Sequence, residues 1–183
     1  MNRMKTFLYL AAFLIVSSVT AQKVNWMTFD EALAAQQEEP RPIMVDAYTD
    51  WCGPCKLLDK NTFQNNDVSA FINANYYPVK FNAEGTEEVN YLENVYTNPR
   101  HDPSRRGRNS QHEFAQAMKL RGYPSIVFFD EQGNYIQPVV GYKTPKQLEI
   151  YLKMIANGDY KDLTTSEKWQ TYQEEFKYTF KAK

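Results

Sequence analysis

Residues 43–56 read Ile43-Met44-Val45-Asp46-Ala47-Tyr48-Thr49-Asp50-Trp51-Cys52-Gly53-Pro54-Cys55-Lys56. A short β-rich run, Ile43 to Tyr48, follows Pro40 and Pro42, leads into a pair of cysteines two residues apart, and then gives way to a helical stretch ending about Phe63. The chain has no other cysteines, so no second pair is available for a structural staple. The spacing suits a dithiol that makes and breaks one disulfide with itself. Thiolate rather than thiol attacks a disulfide, so the nucleophile needs a lowered pKa. A cysteine at a helix N-terminus faces unpaired N–H groups and the positive end of the helix dipole, and both favour the thiolate. Cys52 is expected there, with Cys55 one turn inside on the same face. Gly53 lets backbone approach closely, and Pro54 is tolerated in a first turn, where its missing N–H costs nothing. On this reading an exposed Cys52 attacks and a buried Cys55 resolves the mixed disulfide. The competing reading is half of a zinc site. It would need further ligands, and the only histidines, His101 and His112, stand eleven apart in another region. No metal and no cofactor is therefore expected.

The chain has 183 residues, 43% of them hydrophobic, enough for one good core and too little for two ordinary domains. A formal net charge of −1 gives no global pointer to nucleic acid. Residues 1–21 differ from the rest. Arg3 and Lys5 precede an apolar run from Phe7 to Val16, and Val19-Thr20-Ala21 closes it with residues a signal peptidase reads. A signal peptide cleaved after Ala21 is expected, giving an exported protein, periplasmic if the source is Gram-negative. An uncleaved membrane anchor is the alternative, for which the apolar stretch is short. A lone Cys-x-x-Cys in an oxidising compartment implies catalysis rather than stapling.

Along the chain, Thr28 and Glu31 form a capping box for a helix to about Glu38. Asn66 or Asp67 caps a helix carrying Val68, Phe71 and Ile72, and Tyr76 to Phe81 reads as a strand. Val89, Leu92 and Tyr96 form a weak helical stripe, and 97–109 reads as a surface loop. Ser110 and Glu113 suggest a capping box for a helix through Leu120. Ser125 to Asp130 and Tyr135 to Val140 read as a hairpin, and Thr144-Pro145 opens a helix that Gly158 can end. Trp169, Tyr172, Phe176 and Phe180 recur at 3, 4 and 4 residues, predicting a C-terminal amphipathic helix that either docks on the domain or binds a partner. The order βα-βα-(α)-β-(insert)-α-ββ-α predicts a central mixed sheet with helices on both faces, an α/β fold. The cysteines then lie at the C-terminal end of a parallel strand, where open α/β sheets place their sites. Three segments are expected: a signal peptide 1–21, a domain 22–160 with an insertion at about 84–109, and the C-terminal helix 161–183.

The sequence from Ile43 to about Asn157 resembles the thioredoxin superfamily. Trp51-Cys52-Gly53-Pro54-Cys55-Lys56 matches its active-site motif, Arg121-Gly122-Tyr123-Pro124-Ser125 is similar to its cis-proline loop, and Val140-Gly141 to its substrate-facing glycine. Asp46, six residues before Cys52, matches the family's buried aspartate, and Lys80 its lysine neighbour. Lys60-Asn61-Thr62-Phe63 and Val79 to Glu84 resemble an exported branch, similar to the thiol-reducing domain of the Dsb membrane electron transporter. The resemblance implies a thioredoxin fold with an insertion before the cis-proline helix. It also implies an enzyme that reduces protein disulfides, with Cys52 as nucleophile and Cys55 as resolving thiol. Asp46, its pKa raised by burial, would accept the Cys55 proton, with Lys80 beside it. Alternatively, Asp46 is a structural partner of Lys80. Trp51, Gly53, Pro54, Tyr123, a cis Pro124 and Gly141 would line the substrate surface. Disulfide-containing proteins would be the substrates and a membrane thiol carrier the electron donor, with the protein acting as a monomer. A protein-disulfide oxidase or isomerase, and a binding or chaperone module without turnover, are the rivals.

Three departures from the family pattern stand out: Tyr48 where tryptophan is usual, the bulky Tyr123 before the proline, and the long stretch from about Glu84 to Asn109. Arg100, His101, Arg105, Arg106 and Arg108 there form either a basic flap beside the thiols or a solvated loop.

Overall fold

Helix α1, Phe29–Glu38, starts where Thr28 accepts from the Glu31 amide and Glu31 reaches back to the Thr28 amide, the reciprocal capping expected of these two residues. It leads into strand β1, Ile43–Tyr48, almost wholly buried. The computed structural model describes residues 23–181, and the expected signal peptide lies outside them. Helix α2, Gly53–Leu58, runs on through a π-helical turn, Asp59–Phe63, and is followed by helix α3, Asn66–Asn75, and strand β2, Tyr77–Asn82. After the insertion come helix α4, Glu113–Ala117, strands β5, Ser125–Phe129, and β6, Tyr135–Val140, and helix α5, Pro145–Ala156. Helix α6, Ser166–Glu175, closes the regular structure. Strands β3, Val89–Tyr91, and β4, Asn94–Tyr96, form a separate hairpin within the insertion.

The main sheet has the order β2-β1-β5-β6, with β1 parallel to β2 and antiparallel to β5. Strand parity divides the core. Ile43, Val45, Ala47, Val79, Phe81, Val127 and Phe129 face α1 and α4, while Met44, Ile126 and Phe128 face Leu58, Ile72, Leu148 and Leu152 from the helices on the other side. Asp46 and Lys80, each one residue from these apolar positions, therefore fall on the α2 side, and the register makes them direct cross-strand partners. Gly133, at φ 76, supplies the left-handed residue that lets β5 turn into β6.

Four local expectations change. A leading strand reduces to a single bridge between Met27 and Val79. The stripe at Val89, Leu92 and Tyr96 is the β3–β4 hairpin, whose turn holds Leu92 and Glu93 at φ 48 and 61. Tyr91 and Tyr96 pack on Phe114, and that burial stabilises the hairpin where turn chemistry does not. Helix α4 is capped by His112, whose Nδ1 accepts from the Phe114 amide, while Ser110 instead donates to Asn98. Helix α6 stops at Glu175. Phe180 lies beyond it in an extended tail and meets Phe71 edge-on.

Candidate active site

The sulfurs of Cys52 and Cys55 are joined at 2.06 Å. Cys52 is the N-cap of α2, and its Sγ accepts from the Cys55 amide at 3.1 Å, so an orphan donor of the first helical turn already points at the sulfur. Pro54 occupies that first turn without loss. The expected contrast between an exposed and a buried cysteine is absent in this disulfide form. Cys52 is 1% exposed and Cys55 3%, with Trp51, Gly53 and Pro54 presented to solvent around them.

Beneath the helix, Asp46 is 1% exposed. Its Oδ2 accepts from Lys80 Nζ at 2.6 Å, and Oδ1 has no hydrogen-bond partner among the described residues. Burial pushes its carboxyl up to about 6, and Lys80 opposes only part of that. Lys80 also donates to Asp59 Oδ1 at 2.5 Å. Burial works against the lysine's charge, but the two carboxylates outweigh it and hold its pKa above the ordinary value. Three rings surround the ammonium: Tyr48 at 4.9 Å, Trp26 at 5.1 Å and Phe63 at 5.7 Å. Tyr48 thus serves as one wall of this cage.

Asp59 was not among the residues that sequence reasoning selected. Its signal was available, since it lies four residues after Cys55, one turn along the same helix, and any carboxylate there falls beside the buried pair.

The rim brings together the other expected residues. The Tyr123–Pro124 peptide is cis, and the Gly141 amide donates to the Pro124 carbonyl at 2.8 Å. Gly141 sits at φ 88, a conformation costly for any residue with a Cβ. Trp51 meets Tyr123 edge-on at 6.2 Å and donates its Nε1 to Glu84 Oε2 at 2.8 Å. Glu84, also absent from the sequence-selected set, accepts from the Asn109 amide with the same oxygen, at 2.7 Å. Arg108 lies over the Trp51 ring at 4.4 Å. The insertion therefore packs against Trp51 beside the thiol pair. Neither histidine belongs to the thiol pair. His101 Nδ1 contacts the Glu84 carbonyl, and His112 is a buried cap. Among the described residues there is no cluster of three or more His, Cys, Asp or Glu placed to hold a metal.

Such an arrangement can hold a thiolate at a helix N-terminus, keep a second sulfur within bonding distance, and offer a desolvated carboxylate with a free oxygen as proton acceptor. Comparison with known proteins agrees with this geometry. Residues 29–156 match the family model of the thioredoxin-like domain. The chain is 29% identical over 135 residues to the thiol:disulfide interchange protein DsbD of Pectobacterium atrosepticum, covering 73% of this chain and 19% of that protein. It thus spans about a fifth of the length of that curated relative. Among solved structures, a thioredoxin-fold protein from Helicobacter pylori superposes with a TM-score of 0.56 at 16% identity, covering 79% of this chain and 94% of that one. A thioredoxin from Thermus thermophilus gives 0.54 at 16% identity, covering 74% and 88%.

Proposed function

This chain belongs to the thioredoxin-like domain family, and on that premise we propose that it is an exported thiol–disulfide oxidoreductase that reduces protein disulfides through Cys52 and Cys55. The observation that carries the proposal is the joined pair at the helix N-terminus, set above a buried carboxylate whose Oδ1 has no hydrogen-bond partner among the described residues. In the reduced protein the Cys52 thiolate attacks a substrate disulfide. A Cys52–substrate disulfide forms, and the displaced substrate sulfur leaves as a thiolate and takes a proton from water. Cys55 then gives its proton to Asp46 and attacks Cys52 Sγ. The Cys52–Cys55 bond forms, the mixed disulfide breaks, and the second substrate sulfur leaves. Two electrons have passed from this protein to the substrate.

Asp46 acts as the base, and Lys80 keeps its carboxylate accessible in a dry site. Tyr123, cis Pro124 and Gly141 guide an extended substrate segment past Trp51. The relatives named for thiol:disulfide interchange support exchange as the chemistry. The Gly53-Pro54 dipeptide, shared with reducing thioredoxins, supports the reducing direction. Outside the cytoplasm the oxidised form needs electrons, and a membrane thiol carrier is the proposed donor. The N-terminal 21 residues are proposed to be its export signal, and among the described residues no helix is long and apolar enough to cross a membrane. The protein is proposed to act as a monomer, its C-terminal segment 161–183 docking on its own domain.

A Cys55→Ser variant tests the mechanism. It is expected to accumulate mixed disulfides on Cys52, and Cys52→Ser to accumulate none. Equal trapping by both variants would dismiss the roles assigned. The direction is read from the reduction potential. A value near that of thioredoxin, about −270 mV, fits a reductase, and one above about −180 mV turns the reading to oxidation or isomerisation.

A further inference from the structure

Four arginines, Arg100, Arg105, Arg106 and Arg108, fall within nine residues of the insertion, and all are exposed. The stretch 99–109 sets only Asp102 against them, a net +3 in a chain whose formal charge is −1. Arg105 reaches Asp102 at 3.7 Å, an exposed pair that contributes little in water.

A basic run is most often just a solvated face, but two observations set this one apart. Its fastenings are made by other residues. Asn98 donates to the carbonyls of Gly85 and Ser110, and Asn109 exchanges hydrogen bonds with the main chain of Asp102. Glu84 takes the Asn109 amide and, through its carbonyl, the His101 ring. The segment is thereby held in place while its arginines stay at the surface. Its position is the second observation. Arg108 rests on Trp51, next to the disulfide, and a cleft of about 370 Å³ opens between Trp51, Asn82 and the segment, lined by the carboxylates of Asp50, Glu84 and Asp102 and by Arg105. Those carboxylates make the cleft itself unfavourable for acidic side chains, while Arg105 in its lining, Arg108 on Trp51 and the exposed Arg100 and Arg106 of the same segment present positive charge beside it.

We infer that this arginine rim is the partner-recognition surface of the redox site, and that the partner it fits is a protein segment carrying carboxylates beside its reactive cysteine. The inference rests on Cys52 being the nucleophile proposed above. Guanidinium groups pair with carboxylates through two parallel hydrogen bonds. Opposite charge around a reaction site also raises encounter rates by about tenfold or more at low salt, an advantage that screening removes.

The test uses the reduced full-length domain and three disulfides: a peptide dimer with glutamates flanking its cysteine, the same peptide with lysines, and uncharged hydroxyethyl disulfide. The acidic peptide is expected to be reduced about tenfold faster than the basic one at low salt, with the difference gone at about 0.5 M salt. Replacing Arg100, Arg105 and Arg106 by Glu should reverse the preference and leave hydroxyethyl disulfide unaffected. Equal rates for both peptides, with hydroxyethyl disulfide still reduced, overturn the inference and spare the exchange chemistry. No reduction of any disulfide overturns both. If the rim instead binds anionic vesicles or nucleic acid, and that binding is lost in the triple variant while peptide preference never appears, the inference is also overturned.

Discussion

Two carboxylates are fully buried among the described residues, each beside a lysine, and they end in opposite states. Glu149, on α5, accepts from Lys153 Nζ, from the amide and hydroxyl of Thr179, and from the amide of Phe180. Burial alone would raise its pKa, but these donors outweigh it and hold the group below the ordinary value. Asp46 has one donor and a bare Oδ1, and burial prevails. A buried acid with both oxygens answered is a fixed charge that clamps structure. A buried acid left half answered is a proton acceptor waiting for a proton. The first fastens the C-terminal tail, and the second underlies the dithiol.

The largest effect comes from breaking the clamp. Glu149→Ala removes the acceptor for two amides, a hydroxyl and an ammonium, and is expected to cost about 3 kcal/mol or more at pH 7. The tail should lose amide protection at Thr179 and Phe180 with it, and hydrogen exchange reads this directly. Because the Glu149 pKa is depressed in the folded state, its contribution is present above the ordinary value of 4.5 and is lost as pH falls below it. Retained protection at Thr179 in the Ala variant would show that packing of Phe180 on Phe71 is sufficient.

The pH dependence of Asp46 runs the other way. Its folded pKa of about 6 lies above the ordinary 3.8, so the folded state binds the proton more tightly in that interval. Stability falls as pH rises from about 4 to about 6, by about 3 kcal/mol in all, and stays lost above. Asp46→Asn should abolish that fall, making the oxidised variant more stable than the parent at pH 7 by a similar amount, seen as a higher urea midpoint. The same variant should slow resolution of a mixed disulfide by about 100-fold at pH 7. A variant whose midpoint still drops between pH 4 and pH 7 would place the source of the dependence elsewhere.

These two acids were not equally legible. Asp46 and Lys80 could be read because their positions, Asp46 six residues before Cys52 and Lys80 in Val79-Lys80-Phe81-Asn82, match the thioredoxin-family pattern. Glu149 lies among the polar positions of an amphipathic helix, and its only local sign is the i, i+4 lysine. Its other partners arrive from 30 residues away, because the chain leaves its helix at Phe176. The aromatic spacing after Trp169 continued past the true helix end and disguised that exit. The β3–β4 hairpin was hidden for a related reason. Its turn residues, Leu92 and Glu93, carry none of the glycine or asparagine that usually marks a left-handed pair, and contacts of Tyr91 with Phe29 and Phe129 hold it instead. Long-range packing decided these elements, and local propensity had no access to it.

The smallest effect tests whether a second acid tunes the first. Lys80 divides its ammonium between Asp46 and Asp59, and the Asp59 charge adds to the upward push on Asp46. Asp59→Asn removes that charge and leaves the lysine more fully to Asp46, so both changes lower the Asp46 pKa. Because Asp59 is 43% exposed, water screens much of its influence, and the shift should be below about one pH unit. The acid limb of the resolution rate should move to lower pH, and Asp59→Glu should move it back. A purely structural Asp59 would change the unfolding midpoint and leave the limb where it was, since only a charge coupled to the Asp46 proton can displace it.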